Sequence, residues 1–525
     1  MLLLDYRPGH AGQKERRQLE LELQQRELIS YEPILNTALA REETMEMIVP
    51  DAYPDIFTVL DTSGVALLGR KELSAGCAIL TGTIRSSILY QPEGGGPVQV
   101  MAAEIPFQLK AEEERIATDG SCVASLRLTL LETRALNPRK VLIRAEIVAD
   151  VMVYQKTFAT YCAEIENRES QGVEQRLTDC QGCFVRQVAE RPFQFSDVLN
   201  LPGNKPAIDT VLRAAVRIFS TEEKPIGEKL VFKGNAAVQL LYRSVEGTVA
   251  VATFDLPFSQ MVDTAGGGEG CVYQLTLSLL GYELGQLDEE GRSLSLDLDL
   301  LAQAIVRENL TVQMVSDAYS IRYAAAPEFT QYHIPRLVSQ NNRRFSLREL
   351  VEAPAEVREV LSAELRMGQL HFTRQEHQLN LRADLRVSIV YEDTHGEVGA
   401  VSQTFPMHMA LDAPQDCTPY VAFAHDDTSG MVTAGGLEIR SDLEFQILLM
   451  GEETMLGLAS LQVNSDTELD YSGKPSIVLR QFHDGETLWE IAKAYCTTCA
   501  EIERANELQD GGAAVGQMLL IPRKR

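Results

Sequence analysis

Two cysteine pairs have the spacing of metal- or redox-active thiols: Cys180-x-x-Cys183 and Cys496-x-x-Cys499. Four thiolates would satisfy a tetrahedral zinc ion. The pairs lie 316 residues apart, however, far from the close spacing of a structural zinc module. A dithiol redox centre calls for a strand–helix–strand setting, and neither pair has one. The chain's nine cysteines form no dense disulfide framework and read as inert thiols. His371 and His377 are six apart, off the i, i+4 spacing that stacks two imidazoles on one helix face. The runs Gly94–Gly96 and Gly266–Gly268 lack a following Lys-Ser/Thr, so they read as flexible turns and not as phosphate loops. Nothing ties two of the abundant carboxylates into one cleft. The expectation is a non-enzyme with no catalytic residue, no metal and no cofactor.

The elements that would position any site repeat along the chain. Pro54-Asp55-Ile56-Phe57-Thr58-Val59-Leu60 is followed by Gly82 and then Ile88-Leu89-Tyr90. Pro206-Ala207-Ile208-Asp209-Thr210-Val211-Leu212 is followed by Gly234 and Leu240-Leu241-Tyr242. From Pro354 the same order leads through Val357, Val360 and Leu361 to Ala383 and Ile389-Val390-Tyr391. After each tyrosine come a Gly-containing turn, a short apolar run and a proline: Pro106, Pro257 and Pro406. Four ordered features recurring three times predict a threefold tandem domain of about 150 residues per copy, too long for a solenoid repeat, so each copy needs its own core.

Each copy reads as mainly β. Val141–Ile147, Leu294–Leu300 and Leu437–Leu443 alternate apolar and polar residues, the signature of half-buried antiparallel strands. Asp55–Leu60 and its counterparts read as one or two helical turns. Residues 1–30 read as an N-terminal segment carrying a charged amphipathic helix, because Glu15, Arg16, Arg17, Glu20 and Arg26 interleave with Leu19, Leu21, Leu23 and Leu28. Residues 453–475 read as a linker. The fold class is multidomain and mainly β: three tandem β-sandwich-like repeats over 31–168, 172–325 and 326–452, plus a small βααβ domain over 476–525.

Composition narrows the partners. Hydrophobic residues make up 45% and charged residues 23%, which excludes wholesale disorder. The formal net charge of −27 repels phosphate backbones and anionic lipid, so no nucleic-acid partner is expected. No stretch approaches the ~20 apolar residues of a transmembrane segment. The Met1–Leu4 run is interrupted by Asp5 and Arg7 and is too short for a signal peptide, so the chain is expected to stay in the cytosol.

The C-terminal stretch carries the sharpest motif: Gly485-Glu486-Thr487-Leu488-Trp489-Glu490-Ile491-Ala492, then Ala505-Asn506, then Val515-Gly516-Gln517-Met518-Leu519-Leu520-Ile521-Pro522. It resembles a LysM domain, with Glu486 in place of the usual Asp. The resemblance implies a groove for N-acetylglucosamine polymers lined by Gly485, Glu486, Thr487, Leu488, Asn506 and Ile521. Trp489, with Leu488 and Tyr495, is a candidate anchor for a protein partner. With this module in view, the three repeats resemble those of spore-coat proteins built from SPOCS domains. That resemblance implies a scaffold in the mother-cell cytoplasm, at the forespore surface and in the spore coat. Its LysM end would engage a coat morphogenetic ATPase, stage IV sporulation protein A, and its repeats other coat proteins. A LysM retained in the cytosol meets no peptidoglycan, which favours a protein ligand; a peptidoglycan-binding wall protein is the alternative.

Overall fold

The computed structural model of the chain describes residues 21–414, 416–508 and 512–523. The first six strands are β1 (Leu23–Ile48), β2 (Ile56–Ser74), β3 (Cys77–Pro92), β4 (Gln99–Glu112), β5 (Ser121–Asn137) and β6 (Lys140–Ile165). The next six are β7 (Val173–Asn200), β8 (Ile208–Ile226), β9 (Lys229–Ser244), β10 (Val249–Asp263), β11 (Val272–Leu287) and β12 (Ser293–Ser320). Then come β13 (Tyr323–Val351), β14 (Val357–Met367), β15 (His371–Gln375), β16 (Gln378–Asp393), β17 (Val398–Asp412), β18 (Thr418–Thr433) and β19 (Gly436–Glu468). The small C-terminal domain is β20 (Ile477–Gln481), α1 (Leu488–Tyr495), α2 (Cys499–Ala505) and β21 (Met518–Pro522).

The three sets share one topology. In each, a long first strand pairs antiparallel with the last, which also pairs with its predecessor: β1-β6-β5, β7-β12-β11 and β13-β19-β18. The remaining strands form a second sheet: β2-β3-β4, β8-β9-β10, and β14-β16-β17 with the short β15. Alternation along the strands gives each sheet one oily face. Val141, Ile143, Ala145 and Ile147 of β6 are fully buried against Leu80, Ile84, Ile88 and Phe107 of the facing sheet. The other two sets close equivalent cores around Phe232 and Leu298, and around Leu385 and Ile439. Two sheets face to face around one core make a β-sandwich.

The recurring residues have recurring jobs. Tyr90 and Tyr242 are buried, and their hydroxyls donate to the carbonyls of Pro54 (3.3 Å) and Pro206 (3.0 Å). Gly82 lies opposite Phe107 and Gly234 opposite Phe258 on neighbouring strands. A methyl group on Gly234 would stand 2.3 Å from the Phe258 ring, and one on Gly82 2.2 Å from the Leu67 carbonyl oxygen and 2.5 Å from the Phe107 ring. In the third sandwich the same pair is Ala383 opposite Met407. A flexible thioether makes room where a flat ring does not.

Three local expectations are corrected. Asp55–Leu60 and its counterparts are not helical turns: they are strand from Ile56, Ile208 and Val357 onward. Two register shifts lie three residues apart at the start of each such strand: Ile56/Thr58 and Val59/Asp61, Ile208/Thr210 and Val211/Arg213, Val357/Glu359 and Val360/Ser362. Each bulge resets which face a residue takes. Apolar residues therefore fall at i, i+3, i+4 (Ile56, Val59, Leu60) and imitate a helix. The helix expected in residues 1–30 lies largely outside the described residues; its described part, Leu23–Ser30, is strand and pairs with Thr157–Ile165. The linker expected over 453–475 is strand as far as Glu468, paired with Tyr323–Ile334, and Leu458 and Val463 within it are buried.

The long first and last strands run past their sandwiches as two-stranded ribbons. All three ribbons pack together: Cys162 and Ile165 meet Val173, Val315 and Ala318 of the second ribbon and Leu458, Leu461 and Val463 of the third. The three small sheets also meet, through Leu89 and Val98, Leu212 and Leu241, and Leu361 and Val390. The body is thus three sandwiches around a pseudo-threefold axis.

The Gly–Phe packing gives a test. Gly234→Ala should destabilise the second sandwich by about 1–3 kcal/mol through overpacking. Adding Phe258→Met should recover most of that loss, because the third sandwich already uses the Ala–Met pair. Urea unfolding of the two variants and of Phe258→Met alone checks this; losses that merely add would contradict it.

Candidate functional site

In the C-terminal domain β20 and β21 pair antiparallel, with Leu479 opposite Leu520 and Val478 opposite Ile521. Gly485 turns the chain into α1 with φ +78°, where a side chain would be strained. Thr487 caps α1: its hydroxyl accepts from the Glu490 amide, and the Glu490 carboxylate accepts from the Thr487 amide. Thr498 caps α2 in the same way, accepting from the Glu501 amide. Leu488, Ile491, Ala492, Ile502, Leu519 and Ile521 form the core between helices and sheet.

The expected groove residues divide into two groups. Leu488 and Ile521 are buried. Asn506 is spent on the fold: its side-chain amide donates to the carbonyls of Ile502 (2.8 Å) and Leu520 (2.7 Å), and its oxygen accepts from the Leu520 amide (2.7 Å). Gly485 and Thr487 are exposed on the loop before α1. Glu486 pairs with Arg480 and accepts from the His483 amide at 3.1 Å. Tyr495 lies under Arg480 and Arg523, whose guanidinium carbons are 5.8 and 4.9 Å from its ring centre.

Trp489 faces the body of the protein. Its indole N–H donates to Asp317 at 2.8 Å, and its ring meets Tyr319 edge-on with centres 4.9 Å apart. Lys493, one turn on, donates to both oxygens of Asp317 at 2.8 and 2.9 Å. The Tyr319 hydroxyl donates to the Thr497 carbonyl at 2.7 Å. Tyr319 and Ile321 thereby join the small domain's core. The Tyr471 hydroxyl, on the connecting segment, donates to the Ile321 carbonyl at 2.6 Å. The domain is therefore seated on the tip of the second ribbon. Burial raises the Asp317 carboxyl, but hydrogen bonds from Lys493 and Trp489 outweigh it and hold the group below the usual carboxylate range. Burial pushes the Tyr319 phenol up, so it stays neutral.

Sequence reasoning missed Asp317, Tyr319 and Lys493. Asp317 follows a register shift after Val315, and no pattern in the sequence links it to a tryptophan 172 residues away.

The thiol pairs stay apart. Cys180 and Cys183 sit in β7, Cys496 and Cys499 in the C-terminal domain, and all four are free. Burial pushes the thiols of Cys180, Cys183 and Cys499 up, away from the reactive thiolate. Among the described residues no group of three or more His, Cys, Asp or Glu could hold a metal ion, and no helix is long and apolar enough to cross a membrane.

Comparison with protein families matches this site and one sandwich. The LysM domain family matches residues 484–522, and the SipL, SPOCS domain family matches residues 207–283, which run from β8 into β11. Searches of curated proteins and of solved structures found no match. The chain carries a LysM domain and a SPOCS domain of the SipL type. Both are non-catalytic binding domains, and together they fit a sporulation protein with a peptidoglycan-binding type of module.

The seat of the LysM domain can be tested with Trp489, the protein's one tryptophan. Asp317→Ala should weaken the attachment by on the order of 2 kcal/mol and shift Trp489 emission to the red at neutral pH. Because the Asp317 carboxyl titrates below the ~3.9 of a free one, attachment in the unmodified protein should hold above about pH 4. It should be lost as pH falls through the depressed value. Unchanged emission in the variant would contradict this seat.

Proposed function

We propose that the protein is a non-enzymatic scaffold of spore-coat assembly, linking the forespore surface to coat proteins from the mother-cell cytoplasm. In this reading all three sandwiches are SPOCS domains, over 31–168, 172–325 and 326–452, with the last completed by the returning strand that runs to 468. Their shared strand order and paired bulges support extending the matched family from the second to the first and third. The LysM domain is the docking module for a coat morphogenetic ATPase, stage IV sporulation protein A.

One observation carries the protein-docking reading. α1 is turned onto the ribbon tip, while the outer face of the β20–β21 sheet is open. Ile477, Leu479, Met518 and Leu520 on that face are 42–60% exposed. Four large apolar side chains side by side on a small polar-rimmed domain suit the buried centre of a protein interface. Glycan reading would fall to the loop of Gly485, Glu486 and Thr487, since Leu488, Asn506 and Ile521 serve the domain's own packing. The exposed loop and the LysM match itself favour a second reading, N-acetylglucosamine polymer binding at that loop.

The test is capture from sporulating cells with the full-length chain. The double variant Leu479→Asp/Leu520→Asp should lose stage IV sporulation protein A at least ten-fold, while Trp489 emission and its seat on Asp317 are unchanged. Retained capture by the variant, with saturable binding of N-acetylglucosamine oligomers, would replace the ATPase reading by the glycan one.

A further inference from the structure

Where the three ribbons leave their sandwiches they enclose a cavity of about 810 Å³ on the pseudo-threefold axis. Tyr154, Arg307 and Met450 line it. These are equivalent positions, because each pairs with the first residue of the neighbouring strand: Ser121, Val272 and Thr418. The axis thus brings together one residue from each sandwich, and in the second that residue is a cation.

Arg307 is 2% exposed, and its hydrogen-bond partners among the described residues are neutral. Its guanidinium donates to Gln274 Oε1 at 3.2 Å and to the Tyr154 hydroxyl at 3.3 Å, and lies 5.5 Å from the Tyr420 ring centre. Neutral acceptors and an aromatic face offset only part of the cost of removing a full charge from water. The Tyr154 hydroxyl, having accepted from Arg307, donates to the Met152 sulfur at 3.7 Å, a poor acceptor. Two strong donors therefore stand together, buried and underused. Much of the cavity wall is apolar or aromatic, including Tyr31, Phe184, Val312, Met314 and Ile334, with Ser30, Asn36, Thr157, His333 and Thr418 as polar members. The acidic side chains at its exposed margin are Glu32, Asp416 and Glu452; Glu32 lies 3.6 Å from Arg115, and Glu452 2.6 Å from His333.

We infer that this axial cavity is a binding site for a small organic anion, a carboxylate on an apolar body, whose head is held by Arg307 and Tyr154. The volume is in the range of ligand pockets, and a few converging polar groups in an apolar wall are what such sites use for orientation. A planar guanidinium matches a carboxylate with two parallel hydrogen bonds. The site goes beyond the scaffold reading and stands without it.

Calorimetric titration of the full-length chain tests this with octanoate and benzoate, against 1-octanol, benzyl alcohol and inorganic phosphate. One saturable site for at least one carboxylate is expected, with the matching alcohol and phosphate each bound roughly ten-fold more weakly or worse. Arg307→Met places in the second ribbon the residue that the third already carries, so the fold should tolerate it, and it should abolish carboxylate binding. Tyr154→Phe should weaken binding several-fold and serves as the probe if Arg307→Met does not fold. No binding of either carboxylate, equal binding of alcohol or phosphate, or undiminished binding by the folded variants would overturn the assignment.

Discussion

The structure depends on one constraint: each sandwich is closed by pairing its first strand with its last. Leu23 meets Ile165 and Ile48 meets Lys140, so the chain runs on from Ile48 through four intervening strands before the partner of β1 begins. The second and third sets repeat this, with Val173 opposite Ser320 and Val351 opposite Leu437. Such closure is entropically costly, but it returns the chain to where it entered each unit. The three units can then follow one another with short connections and converge on one axis. Because the paired strands are longer than the sandwich needs, the surplus becomes ribbons, and the ribbons supply the stem, the axial cavity and the seat of the LysM domain.

The axis shows what three linked copies can do that three identical chains cannot. A symmetric trimer places the same residue three times on its axis. Here the equivalent positions just past the second bulge are Asp61, Arg213 and Ser362, and they bond to one another: Arg213 to Asp61 at 2.7 Å, and Arg213 to Ser362. Three aspartates or three arginines in that place would repel across a buried site. Ser388 completes the set by donating to Asp61 at 2.9 Å. Removing one member of such a buried pair typically costs about 3–5 kcal/mol, whereas the intact pair contributes less to stability than to choosing one arrangement. The pair therefore ties the first and second sandwiches together at the axis, and Ser362 and Ser388 join the third to them. Tyr154, Arg307 and Met450 have diverged in the same way.

What could be read from the sequence was local or repeated. The LysM motif is contiguous, and its caps and core follow from residue types at fixed spacing. The tyrosine, glycine and proline landmarks recur, so the mainly β character and the three like stretches were legible before any fold was known. The misread pieces share a cause. At Ile56, Val59 and Leu60 two bulges convert a strand's period of two into a helix-like spacing. At 453–468 the polar stretch from Asn464 to Thr467 masks a strand whose apolar residues Leu458, Leu461 and Val463 are buried against the other ribbons. In the LysM domain the motif residues are also those that a fold this small needs to turn, cap and pack, and Asn506 and Ile521 are spent that way. The motif does not show that Trp489 is answered by Asp317.

A LysM domain seated on the body differs physically from one on a free tether. A tether lets a binding module sample a wide volume, which lowers its effective concentration at any one target and transmits no orientation. Here Trp489, Lys493 and Thr497 are gripped by Asp317 and Tyr319, and Tyr471 pins the connecting segment, so the open face of β20–β21 holds a set direction relative to the three sandwiches. Whatever binds that face is held at a fixed distance and angle from whatever binds the sandwiches. That fixed geometry rests on a few hydrogen bonds around one buried carboxylate, Asp317.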